Sequence, residues 1–164
     1  QASRRSPVRQ DAQRAAQQEV FARFIDWSVQ HDKLIQVHSR HAKQEALDLL
    51  VEKKAKQVLL HWFSGNPKQQ RIVMDHHWVC TVGPTILNSR HMDSFIQQIP
   101  LDLLGLETDS PISFDGKPSD PSWIPRVAQR VAEVKGVSLH DVQAAQEAIF
   151  SRFFPHDSKN PSGE

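Results

Sequence analysis

Cysteine is almost missing from this 164-residue chain, in which Cys80 stands alone. A lone thiol excludes an internal disulfide framework and a cysteine-rich zinc site, and it fits a reducing, cytoplasmic setting. Net charge is missing too. Lys and Arg number 20 against 19 Asp and Glu, for a formal charge of +1. That balance excludes the global positive field which drives sequence-independent binding to a nucleic-acid backbone, so any phosphate contact has to be local. No apolar run is long enough to span a bilayer, and no basic-then-apolar leader resembles a signal peptide, so no membrane partner is expected. An initiator methionine is absent, since residue 1 is Gln. The chain is therefore expected to be a processed product or a piece of a longer polypeptide.

What is present suffices for one domain with a real core. Residues 1–10, rich in Ser, Arg and Pro, show no apolar periodicity and are expected to form a flexible arm. The domain is expected over 11–154, and a polar, disordered tail over 155–164. An amphipathic helix is predicted from Asp11 to about His31, then a strand over 34–37, a helix over 41–54 and a strand over 57–60. Pro67 opens a third helix, 78–82 reads as a third strand, and Ser89 is placed to cap a helix over 90–98. A fourth strand at 103–106 precedes a Pro-rich loop from Asp109 to Asp120. Two closing helices follow: one from Ser122 to Lys135 stopped by Gly136, the other opened by a Ser138–Asp141 capping box. Strands alternating with crossover helices imply an α/β fold with parallel strands, either a (β/α)8 barrel or an open doubly wound sheet.

Three strands share one grammar. Apolar runs stop at His38-Ser39-Arg40, at His61 and at Glu107-Thr108-Asp109. In α/β folds chemistry collects at the C-terminal ends of the strands. Imidazole and carboxylate suit divalent cations, so His38, His61 and Asp109 are candidate metal ligands, with Asp109 also a candidate proton acceptor. Arg40 is placed to pair with an anionic substrate, and Ser64 and Gly65 lie where a loop backbone approaches a phosphate. Taken singly each has a plainer reading, as a surface histidine or a turn-forming aspartate. It is the repetition that argues for a site. The remaining histidines fall on helices or tails, and Trp62, Trp78 and Trp123 read as packing residues.

The segments VHSRHA, LLHWFSG and LGLETDSP, in that order, followed by Trp123-Ile124-Pro125 and Val134-Lys135-Gly136-Val137-Ser138, resemble the C-terminal half of TatD-type metal-dependent deoxyribonucleases, which are amidohydrolase-like. The resemblance runs from about Gln18 to Phe154. It implies half of a (β/α)8 TIM-type barrel followed by two C-terminal helices. It also implies one or two divalent ions (Zn, Mn or Mg), DNA as substrate and hydrolysis of phosphodiester bonds. It further implies that His38, His61 and Asp109 bind metal, with Asp109 as general base, Arg40 beside them and Glu107 as neighbour.

Several positions depart from the pattern: Trp62 stands where cysteine is usual, Ser119-Asp120-Pro121 replaces N-E-P or N-Q-P, and Glu147 stands where asparagine is common. More significantly, the H-x-H and G-E-x-G-L-D strands are not in this chain. A complementary N-terminal barrel half, in cis or in trans, is thus an expected partner. Two alternatives remain: a non-catalytic scaffold or binding subunit, and a metal-dependent hydrolase of small esters or lactones.

Overall fold

Four short apolar runs, three closed by a polar residue and one by Gly83-Pro84, become four parallel strands because the helices between them carry the chain back to a common starting side. The computed structural model describes residues 7–155. In order it forms α1 (Pro7–Gln30), β1 (Ile35–His38), α2 (Lys43–Glu52), β2 (Val58–His61), α3 (Pro67–Asp75), β3 (Val79–Val82), α4 (Asp93–Gln98) and β4 (Leu104–Leu106). A two-stranded hairpin, β5 (Ser113–Phe114) and β6 (Lys117–Pro118), precedes α5 (Ile124–Lys135) and α6 (Leu139–Phe153). The main sheet runs β1-β2-β3-β4, every pair parallel. Its order never reverses, so the sheet lacks the switch point of a doubly wound fold.

Local chemistry fixes the helix ends. Asn66 accepts from the Gln69 amide and Gln69 returns the bond to Asn66, each at 3.0 Å, behind Pro67. Ser138 and Asp141 make the same reciprocal pair at α6. Gly136 stops α5 with a left-handed backbone at φ 67°, the conformation that glycine adopts without a Cβ penalty.

Strand periodicity sorts side chains to two faces. Val37, Val58, Leu60, Cys80, Val82 and Leu104 join the main core with the apolar sides of the helices. On the other face, Leu34, Leu59 and Val79 meet Ile149 and Phe153 of α6. That second cluster occupies only the starting ends of the strands. His38, His61 and Thr81, nearer the finishing ends, lie on the same face by alternation. Gly105 belongs there as well, because a Cβ would come within 3.0 Å of the Thr81 methyl.

The two edges differ. At β4 the Gln146 side chain accepts from the Leu106 N–H and donates to the Leu104 carbonyl, both at 3.0 Å, in the manner of a neighbouring peptide. At β1 no strand lies outside Ile35–His38 among the described residues.

Several expectations require correction. Residues 7–10 are helical rather than an arm, because Pro7 supplies a preset φ at a first-turn position where no N–H is needed; 1–6, 156–164 and His156 lie outside the described residues. Ser89 does not cap α4: its hydroxyl pairs with the His91 ring, and the helix begins at Asp93 behind Met92. The loop after Asp109 contains a hairpin, tied by Ser119 N–H to the Ile112 carbonyl at 2.8 Å.

Candidate functional site

β1 and β2 end in register, so that His38 and His61 are paired residues of adjacent strands, with ring centroids 5.3 Å apart. His38 is exposed and His61 half-buried. Glu107, one residue past β4, holds His61 from one side: its Oε2 lies 2.6 Å from Nδ1. The other ring nitrogen, Nε2, faces Asp109 Oδ2 at 3.5 Å. Glu107 is the site residue that the sequence reading left as a mere neighbour. Alternation along Leu104–Glu107 could have found it, since with Leu104 and Leu106 turned to the helices, Gly105 and Glu107 turn to the face that carries His61.

The turn after His61 is pinned to β3, where Thr81 Oγ1 accepts from the Trp62 amide at 2.9 Å. Trp62 and Asp109 both have left-handed backbones, φ 47° and 50°. Such backbone in a non-glycine residue costs about 1–3 kcal/mol and collects at functional sites. Both residues sit just past strand ends, directly flanking the paired imidazoles in sequence or space.

A cavity of about 320 Å3 opens beside this cluster, lined in part by His38, Arg40, Lys43, His61, Trp62 and Ser64. Lys43 Nζ donates to the Ser64 carbonyl at 2.6 Å and to its hydroxyl at 3.0 Å. Gly65 is set back from that cavity. Its constraint is steric, because a Cβ there would lie 2.6 Å from the Phe63 ring, and its carbonyl accepts from Gln70 at 2.7 Å. Asp120 is likewise occupied elsewhere: it caps the turn before α5 through the Ser122 amide at 2.8 Å, and the Ser122 side chain together with that amide holds its carboxyl below the usual range. Glu147 is exposed on α6 and pairs with Gln143.

The donors fit a divalent cation in kind. Two imidazoles and a carboxylate share one rim, and one imidazole is oriented through its far nitrogen, as metal-ligating histidines are. Glu107 Oε1 is also buried without a partner. They fall short in number, since no three His, Cys, Asp or Glu side chains among the described residues converge to enclose an ion. No helix among the described residues is long and apolar enough to cross a membrane.

Comparison with known proteins agrees with the motifs. Residues 6–155 match the family model described as TatD related DNase. The chain is 31% identical over 145 residues to the human protein named deoxyribonuclease TATDN3, covering 87% of this chain and 53% of that protein. It is 28% identical over 146 residues to YabD of Bacillus subtilis (strain 168), named an uncharacterized metal-dependent hydrolase, covering 84% of this chain and 57% of that one. Among solved structures, the TatD homologue YJJV of Escherichia coli K12 superposes with a TM-score of 0.72 at 24% identity, over 79% of this chain and 53% of that one. The chain spans about half the length of the curated relatives it matches. A family match across nearly the whole sequence, carried on motifs that meet at one end of one sheet, establishes that this chain belongs to the TatD-related DNase family.

Proposed function

We propose that the chain is the C-terminal half of a (β/α)8 barrel hydrolase, contributing part of a divalent-metal centre that cuts phosphodiester bonds in DNA once a complementary half, in cis or in trans, completes it. The observation that carries this reading is the register pairing of His38 with His61, with Glu107 and Asp109 on either side of the second ring. His38, His61 and Asp109 would hold the ion. When bound, a divalent cation supplies Lewis acidity and makes water nucleophilic at neutral pH. Glu107 accepts a hydrogen bond from His61 Nδ1 and so turns Nε2 toward the rim. Asp109 would take a proton from the attacking water, and Arg40 would pair with a phosphate oxygen. The sequential strand order and the β1 edge, unpaired among the described residues, support the barrel half, since both faces and both edges of a barrel strand are covered.

The test is reconstitution. A polypeptide carrying the H-x-H and G-E-x-G-L-D segments, added with Mn or Zn, should restore cleavage of single-stranded DNA and raise metal binding from weak to stoichiometric. His61→Ala in the reassembled protein should abolish both. Retained cleavage in that variant would sink the assignment. Cleavage of small esters or lactones with DNA left intact would move the substrate class.

A second reading, a non-catalytic scaffold or binding subunit, is favoured by one observation, the incomplete donor set. Stoichiometric assembly with no hydrolysis of either substrate would select it.

A further inference from the structure

The cavity beside the imidazoles has two cations on its wall, Arg40 and Lys43. Neither has a carboxylate within pairing distance: the ion pairs of the described residues involve Arg23, Lys53, Arg130 and His61. Lys43 is nonetheless held in place. Its two bonds to Ser64 and its position 5.9 Å over the Phe63 ring fix the ammonium, while both hydrogen-bond acceptors are neutral, leaving one N–H and a full charge uncommitted. Helix stability does not account for a lysine there. It opens α2, where the backbone dipole disfavours a cation, and Ala42 before it makes no side-chain cap. With a chain-wide charge of only +1, two uncompensated cations on one cavity wall are a local feature rather than a share of a general field.

We propose that Lys43 and Arg40 form an anion subsite which holds a backbone phosphate of single-stranded DNA next to the His38–His61 pair, with Lys43 its principal contact. The inference rests on the DNA-hydrolase reading and adds to it the residue that grips the strand. Ser64 acts through Lys43, presenting its carbonyl and hydroxyl to aim the ammonium across the cavity.

Anisotropy titration of a labelled oligothymidylate onto the purified chain, in chelator and across a salt series, tests it without turnover. Lys43→Gln should weaken binding about tenfold at low salt and make the slope of log affinity against log salt shallower by about 0.7, the counterion release of one phosphate contact. Lys43→Arg should keep the slope. Lys56→Gln, a cation at the opposite end of the strands, should change nothing. If Lys43→Gln proves unfolded by circular dichroism, Arg40→Gln should show the same shallower slope.

An unchanged slope in Lys43→Gln, or an equal change in Lys56→Gln, overturns the subsite. The two ideas separate cleanly. A shifted slope with no cleavage by the reassembled protein leaves the subsite standing and removes the hydrolase reading. Cleavage with an unshifted slope removes the subsite alone.

Discussion

The two edges of the sheet are finished differently. β4 is closed by its own chain: α6 lies along it, Gln146 satisfies Leu104 and Leu106, and Phe153 and Ile149 fill the adjoining face. β1 is left bare. Gln36 and His38 are exposed, and a groove of about 690 Å3 runs beside the strand between α1 and α2. α1 also carries an apolar stripe, Val20, Phe24 and Trp27, each 54% exposed. The functional candidates draw on both edge strands, with His38 on β1 and Arg40 just beyond it, and with Glu107 and Asp109 just past β4. β4 is thus both the self-closed edge and the source of the two carboxylates beside His61.

The largest effect should separate two phenylalanines. Phe153→Ala should cost about 3–5 kcal/mol in denaturant unfolding, as a buried aromatic lost from a core, whereas Phe24→Ala on α1 should stay within about 0.5 kcal/mol. Equal costs would mean that the α1 stripe is covered in solution.

Gln146→Leu should cost about 2–3 kcal/mol by leaving two backbone groups of β4 unpaired, with the denaturant slope unchanged. Gln36→Leu at the other edge should cost nothing comparable.

Exchange and labelling sharpen the contrast further. Ile35 N–H donates toward β2, to the Gln57 carbonyl, so strand alternation points the Gln36 and His38 amides outward. Both should exchange hydrogen far sooner than the Leu106 amide held by Gln146. Cys80, deep in β3, has its thiol pushed up to about 12 by burial. Alkylation at pH 8 should therefore proceed only at the rate of global unfolding, while a Gln36→Cys thiol should react at once.

The smallest effect is an acid limb confined to the finished side. The Asp141 carboxyl is held below its ordinary 3.8 by Ser138 in the α6 capping box. A depressed folded-state value means that its stabilisation is present above about 3.8 and is lost as pH falls through the lower folded value. Asp141→Asn should flatten that limb of the stability curve, and a limb of unaltered steepness would remove the capping box as its source.

Strand and helix alternation was legible because each strand is a short apolar run with a polar or Gly-Pro stop, and the strand-end residues His38, His61 and Asp109 do share one rim. Glu107 was readable only through a face assignment that needs the neighbouring strands. Lys43 was visible as a cation where a helix start disfavours one, but its bond to Ser64 spans 21 positions and follows from packing alone. Ser89 misled because a hydroxyl with helical spacing ahead of it has a competing partner two residues on, the His91 ring. Gln146 gave no local sign: a glutamine on an amphipathic helix looks like any solvated side chain until a strand edge lies beneath it.

That glutamine bears on how far association can run. A sheet with two open edges can add neighbours at both and grow into a filament. Among the described residues the β1 edge is open and the β4 edge is plugged by one side chain, so a strand joining at β1 pairs at once whereas one joining at β4 first displaces Gln146. Closing a barrel with a complementary half therefore calls for Gln146 to give up both of its bonds to β4.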